Sequence, residues 1–501
     1  MKRYLRYLTA ALIMTSGIVF AQSPGGVSGS IQLWLKANQG VLDTGGGSAS
    51  DGEAVGTWQD QTTARTNDAV DDRLASPDYR NNSADNINNN PVVEFNGTND
   101  GLDFGTDYIY SIGTGMHWFA VLRPNAEIDK TQQRIIDFGL YADNGYGFSY
   151  GCDFYGFFTS TGNGGAVTTD AYHGRSTETT LVEYQIDFGD NQYMAFNGSS
   201  PPVATQTITL ASLTAANINE SGTHQLYSGP VTVGQQSKTQ SIDNNNGRYY
   251  SGAMAELIGY STVLTADNKN RVETYLALKY GLTLEHNYIA NISGTNTTVY
   301  DISTYPYDIA GVGQDVTDQT LTQLQSKSLN SGSLIEGTIA DANIDDEEYV
   351  IWGHDNASAS LGTTYNSITE TRITRIWKVT ATGTPGSMTI SVPTSIAGGL
   401  TALVVANSPT INGPSDIVGS YALTVNGSRY EASVTFSGTQ YFTFITTVSG
   451  GIKYSGGIGT NLQMWLKANA GVLNGGSTAS DGQAVNTWED QAGSNDATDA
   501  N

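Results

Sequence analysis

Ile31-Gln-Leu-Trp34-Leu-Lys-Ala-Asn38 sets the pattern by which this chain is read: a short apolar run, β-branched or aromatic at its centre, closed by a polar turn. We read 32–37 as a strand. Similar runs follow at 91–95, 117–122, 134–138, 145–150, 181–188, 193–197 and 253–260, separated by Asn-Gly, Gly-Thr-Asn-Asp-Gly and Asp-Asn-Gly turns. A second series, at 333–339, 348–352, 375–380, 387–392, 400–406, 421–425, 431–436 and 441–448, alternates with period two. Strands in such numbers without helices between them mean antiparallel sheets, so the fold class expected is all-β, a sandwich or jelly roll.

The opening octapeptide returns. Leu462-Gln-Met-Trp465-Leu-Lys-Ala-Asn469 repeats it, and Thr57-Trp58, Asp60-Gln61 and Asn67-Asp-Ala69 return as Thr487-Trp488, Asp490-Gln491 and Asn495-Asp-Ala497. A spacing this long is far beyond a solenoid unit, so the repeated object is a multi-domain cassette. The second occurrence runs out at Asn501, from which we expect a piece of a longer repetitive chain.

One helix interrupts the strands. Thr265 is a suitable N-cap, Asp267 lies in the first turn, and Val272, Tyr275, Leu276 and Tyr280 keep helical spacing up to Gly281. We expect it to lie on the outside of the first sandwich. The domains expected are a signal peptide at 1–21, a jelly-roll domain at 28–288, a second β-sandwich at 298–449 after a polar stretch, and the start of another jelly roll at 456–501. Trp58 is expected at a strand end with its indole buried.

Leu33-Trp-Leu-Lys-Ala37, Trp58-Gln-Asp-Gln61, Pro91-Val-Val-Glu-Phe-Asn-Gly97, Glu256-Leu-Ile-Gly-Tyr260 and Arg271-Val-Glu-Thr-Tyr-Leu-Ala-Leu-Lys-Tyr-Gly-Leu-Thr-Leu284 resemble the laminin-G-like, concanavalin-A-like jelly-roll domains of large bacterial surface proteins. Tyr307-Asp-Ile-Ala-Gly-Val-Gly313, Gln325-Ser-Lys-Ser-Leu-Asn330 and Arg375-Ile-Trp-Lys378 resemble a β-rich domain of unknown function that follows such domains. The resemblance implies a lectin-like fold that hosts carbohydrate-binding, adhesion, spacer and glycanase functions alike.

Lys2, Arg3 and Arg6 precede an apolar stretch ending at Val19-Phe20-Ala21, the pattern of a Sec leader cleaved after Ala21, and we expect a secreted or cell-surface protein. The net charge of −25 argues against nucleic acid as a partner, because such a surface repels phosphate. Cys152 is the only cysteine, which excludes an intrachain disulfide. The remaining composition, rich in polar turn formers and carrying 10% aromatics, belongs to a folded β protein.

Catalysis finds no support in the motifs. Glu127-Ile-Asp129 begins the alternating carboxylates of a glycanase strand and stops before a second Glu. His117, His173, His224, His286 and His354 have no metal-ligand spacing. The chain is read as no enzyme. Calcium (Ca2+) is the one cofactor left open, through Asn99, Asp100 and Asp103. The loop Asp341-Ala-Asn343-Ile-Asp345-Asp-Glu-Glu348 lacks both the Gly and the terminal Glu of an EF-hand.

The candidate ligand site is the aromatic tract from Tyr141 to Phe158. Tyr146, Phe148 and Tyr150 alternate and so share a strand face, and glycines between them let a ligand approach. Tyr146, Tyr150 and Tyr155 are the candidate carbohydrate-binding residues, set against the alternative that the stripe is core. The function expected is an adhesin-like surface protein whose jelly roll binds an extracellular glycan or surface protein. A structural stalk is the alternative, and a glycan-active hydrolase a remoter one.

Overall fold

A computed structural model describes residues 22–446 apart from 64–66, 72–74, 105–114, 126–132, 138–145, 151–153, 160–165, 172–177, 188–190, 200–203, 208–230, 236–248 and 366–369, together with parts of 471–498. The expected leader at 1–21, the glycanase-like Glu127 and Asp129, Cys152, and the second octapeptide at 462–469 lie outside the described residues. The chain is all-β, with one α-helix among those residues.

The first sandwich pairs two antiparallel sheets. Its inner sheet runs Ala204–Thr207, Asn191–Phe196, Thr180–Asp187, Gly115–Pro124, Ser251–Tyr260, Val92–Asn96 and Asp78–Arg80, with Ile31–Lys36 also on Ser251–Tyr260. Its outer sheet runs Ala166–Ala171, Phe154–Thr159, Tyr146–Tyr150, Gln133–Asp137, Thr232–Val233, Leu102–Asp103, Ala69–Val70, Val55–Trp58 and Val41–Asp43. Between them pack Leu33, Leu35, Trp58, Trp118, Leu122, Ile136 and Met254, all fully buried. Trp58 ends its strand at 0% exposure, as the sequence led us to expect.

The centre of the inner sheet is buried on both faces. All ten residues of Ser251–Tyr260 are buried, and its other side, with Trp34, Phe119, Val121, Ala255 and Ile258, joins a second core built around the helix Ala266–Tyr280. The helix starts at Thr265, whose hydroxyl accepts from the Asn268 amide at 3.4 Å, and ends at Gly281, whose φ of 67° a side chain would strain. Every residue from Val272 to Tyr280 is buried. The helix thus lies on the outside of the first sandwich, as expected, with Val272, Leu276 and Tyr280 in that contact. Its far side meets Ile309, Leu321, Tyr349 and Ile351 of the second sandwich, so it fills a layer between the two.

That second sandwich has its own core between two further sheets. One contains Tyr307–Asp315, Glu348–His354, Trp377–Thr382 and Gly438–Thr446, the other Glu336–Ile339, Met388–Pro393 and Arg429–Val434. Trp352, Trp377, Phe442, Phe444 and Ile390 fill the space between. The polar stretch after residue 290 is a hairpin, Tyr288–Ile292 with Thr295–Tyr300. The single strand expected at 421–425 is two, Ile417–Ala422 and Thr424–Asn426, in different sheets.

Asn88 and Asn89, at φ values of 46° and 67°, turn the chain between Ile87 and Asn90. Asn88 Nδ2 and Asn90 Nδ2 donate to the Lys279 carbonyl at 3.1 and 2.8 Å, closing the helix C-terminus. Asn88 also donates to Ser326 Oγ and accepts from the Lys327 amide, so one asparagine ties the first sandwich, helix and second sandwich together.

Two buried ionic clusters pin the helix to the inner sheet. In the first, Glu256 accepts from Trp34 Nε1 (2.6 Å), Tyr275 OH (2.9 Å), Lys279 Nζ (2.7 Å) and Tyr280 OH (2.8 Å). Lys36, over the Trp34 ring, donates to Thr320 of the second sandwich, and burial pulls its ammonium down to about 7. The motifs around Trp34, Glu256 and Tyr275-Leu-Ala-Leu-Lys-Tyr280, far apart in sequence, thus meet at one carboxylate.

In the second cluster the Leu264 amide donates to His117 Nδ1, so the imidazole proton sits on Nε2 and is donated to Glu183 at 2.7 Å. Lys269 lies between Glu183 and Glu273, and His286 Nε2 is 2.8 Å from Glu273. Burial raises the Glu183 carboxyl, but the hydrogen bond from His117 and the charge of Lys269 outweigh it and hold the group at about 2. A depressed acid contributes stability above its unfolded value of 4.5 that is lost as the pH falls toward 2. Acid-unfolding curves should therefore be flatter between those limits in Glu183→Gln than in the parent. An unchanged slope would remove Glu183 from the account.

The 471–498 region forms a small sheet whose pairing copies the first sandwich. Val41 pairs with Trp58 and Trp58 with Ala69; Val472 pairs with Trp488 and Trp488 with Ala497. Trp488 is half-buried where Trp58 is fully buried, because no described strand covers it as the inner sheet covers Trp58.

Candidate functional site

The aromatic tract folds as two paired strands toward one end of the outer sheet, Tyr146–Tyr150 and Phe154–Thr159. Antiparallel partners directly opposite one another share a face. Tyr146 stands opposite Phe158, Phe148 opposite Gly156 and Ser149 opposite Tyr155. Tyr146, Phe148 and Tyr150 therefore share one face, as expected, and Tyr155 belongs to the other.

The neighbouring strand shows which face is which. Phe148 pairs with Ile136 and Tyr150 with Gln133. Ile136 is in the core between the sheets, and Gln133 Oε1 crosses that core to accept from the Ser251 amide at 2.7 Å. The positions of Tyr146 and Tyr150 thus fall on the inward face, which corrects the grouping of Tyr146, Tyr150 and Tyr155 into one site. The stripe is in phase with the core.

The outward face carries a different set. A bulge at Ile135 changes the phase of Gln133–Asp137, so that Arg134 and Asp137 both oppose positions of one face, Ser149 and Gly147. Two rows cross the sheet there. One reads Asp103, Thr232, Asp137, Gly147, Phe157, Thr168; the other reads Arg134, Ser149, Tyr155, Asp170. Arg134 Nε lies 3.0 Å from Asp137 Oδ2, and Arg134, Asp137, Asp103 and Thr232 are all buried. Charged groups with almost no solvent contact are retained where they are paired and hydrogen-bonded.

Chemically, this face sets a fixed cation, carboxylates and a hydroxyl in register with the positions of two aromatic residues, one of them opposite a glycine. Planar rings suit the C–H face of a sugar, while the buried Arg134, Asp137 and Thr232 brace the sheet. The sequence offered a signal for this face that the aromatic alternation hid: Arg134 and Asp137 are charged residues on either side of the apolar pair Ile135-Ile136.

The calcium candidates separate. Asp100 accepts from Asn96 N (2.8 Å) and Asn96 Nδ2 (2.7 Å), with burial raising its carboxyl to about 6. Asp103 stands on the outward face beside Thr232. Among the described residues, no group of three or more His, Cys, Asp or Glu side chains is arranged to hold a metal ion. His117, His286 and His354 are each engaged with a carboxylate. No helix among the described residues is long and apolar enough to cross a membrane.

Residues 268–440 match a family described as a domain of unknown function (DUF8202). That span begins inside the helix, in keeping with the helix packing on the second sandwich. No curated protein matches the chain. Among solved structures, Trypanosoma rangeli sialidase in complex with a difluoro-KDN is 13% identical at a TM-score of 0.30, over 50% of this chain and 32% of that one. The chain thus spans about a third of the length of that sialidase. The Ruminococcus gnavus IT-sialidase CBM40 bound to α2,3 sialyllactose is 11% identical over 36% of this chain and 94% of its own, with a TM-score of 0.27. The receptor-binding domain of a botulinum neurotoxin mosaic serotype C/D is 11% identical over 86% and 100%, with a TM-score of 0.35. Identities and superpositions this low transfer no ligand to this chain.

Proposed function

We propose that this chain is an exported, non-catalytic, adhesin-like surface protein whose first sandwich, of the laminin-G-like kind, binds an extracellular glycan on the outward face of its outer sheet. The observation that carries this reading is the register that sets Tyr155 and Phe157 in the same two rows as Arg134, Asp137 and Thr232. Aromatic positions on a face braced by the buried Arg134–Asp137 pair suit stacking against a sugar ring.

A glycan array probed with residues 22–449 tests it. Binding to a defined class of glycans is the expected result, weakened about tenfold or more in Tyr155→Ala, as for an anchoring aromatic in a small interface. The Tyr146→Ala/Tyr150→Ala pair should instead lower the melting temperature. Binding lost only in that pair would return the site to the inward face.

The second reading is a spacer. The continuous packing of the helix against both sandwiches favours it, since a stalk needs stiffness between its units. An array with no hit and a rod-like scattering profile would select it.

A further inference from the structure

The Glu256 cluster contains more chemistry than packing requires. Lys279 has a side chain 3% exposed, and its Nζ donates both to Glu256 Oε2 at 2.7 Å and to Asn38 Oδ1 at 2.9 Å. Trp34 and Tyr275 hold the other carboxylate oxygen, and Tyr280 shares Oε2. A primary amine, a carboxamide and a carboxyl group are thus held together behind three aromatic rings. We propose that Lys279 and Asn38 become joined by an intramolecular isopeptide bond, with Glu256 carrying the proton.

The step balances without any co-reactant. Lys279 passes a proton to Glu256, a transfer that exchanges a buried ion pair for a neutral amine and a neutral acid, and low polarity favours that exchange. Burial pulls the Lys279 ammonium below its ordinary range, in the same direction. The free amine attacks Cγ of Asn38, forming the new C–N bond. The proton held by Glu256 and one of the two on the attacking nitrogen pass to the departing NH2 group, so that the C–NH2 bond breaks, ammonium leaves, and the carboxylate and a neutral secondary amide remain. Holding amine and carbonyl at contact replaces an encounter in solution, a gain measured in effective molarities of many powers of ten.

Asn38, unlike Lys279 and Glu256, is exposed, so ammonium escapes to water and the reaction does not run back. The bond would close residues 38–279 into a ring. Tension entering through the strand Ile31–Lys36 would then pass directly to the helix and bypass the sandwich. Asn469 repeats Asn38 in the second octapeptide, beside Trp465 and Lys467.

Peptide mapping of the purified full chain by mass spectrometry decides the matter. The expected result is a branched peptide joining Asn38 to Lys279, lighter than its two parts by one ammonia, with no tryptic cleavage after Lys279. Asn38→Ala, at an exposed position that leaves the fold intact, should restore cleavage and the separate peptides, as should Glu256→Gln. Cleavage after Lys279 in the folded parent would overturn the proposal, and so would a link to Glu256 with loss of water. A link surviving in Glu256→Gln would overturn the role given to Glu256.

Discussion

Glu256→Ala, made in an Asn38→Ala background where no bond to Lys279 can form, should destabilise the protein by about 3–5 kcal/mol, as expected when one partner of a buried ion pair is removed. Glu256 is 0% exposed and receives four hydrogen bonds. Its loss strands the Lys279 ammonium and leaves Trp34 Nε1, Tyr275 OH and Tyr280 OH without their acceptor. Each orphaned donor adds a desolvation cost of about 1–3 kcal/mol unless water enters the cavity. Glu256→Gln keeps an acceptor for the indole and hydroxyls but not the charge, and should fall between. Urea unfolding midpoints at constant m-value are the measurement. A shift under about 1 kcal/mol would mean that the cluster is solvated, because only exposed pairs contribute so little.

The first sandwich expressed alone as residues 22–288 should lose its cooperative thermal transition and bind an apolar dye, while residues 22–446 unfold cooperatively. The helix is what divides the two outcomes. Leu278 approaches Gly311 and Ile351 so closely that a Cβ at Gly311 would lie 2.8 Å from Ile351 Cγ1 and 3.0 Å from Leu278 Cδ2. Cutting at 288 uncovers that apolar face, and a contiguous exposed face of this kind drives association. It also removes Ser326 and Lys327 from Asn88, and the Leu329 amide from the Gly281 carbonyl. A sharp transition in 22–288 at the temperature of the longer chain would show that the helix needs only one of its two neighbours.

How much of this was legible depends on the range of the interaction concerned. The strand at Met388–Pro393 and the helix at Ala266–Tyr280 were readable because period two, a threonine N-cap and a left-handed glycine are local properties. Trp58 was readable as core for a similar reason: a large apolar ring on a short alternating strand has few other places to go. The helix's second neighbour was not legible because its apolar residues up to Tyr280 show that a face is buried, not how many neighbours bury it. Thr274 and Lys279, polar in any sequence reading, are buried through partners such as the Ile289 amide and Glu256.

From the sequence alone, then, come the all-β class, the recurrence of the octapeptide at 462–469, the strong negative charge and the shared face of Tyr146, Phe148 and Tyr150. Each rests on spacing along the chain or on composition. Only the tertiary structure decided that this face points inward and that Tyr155 joins Arg134 and Asp137 outward, and only it gathered Trp34, Asn38, Glu256 and Lys279 at one carboxylate. Alternation assigns residues to two faces without distinguishing them. The distinction comes from the bulge at Ile135, from the strand register and from Gln133 reaching Ser251, all contacts between residues with no local signature of one another.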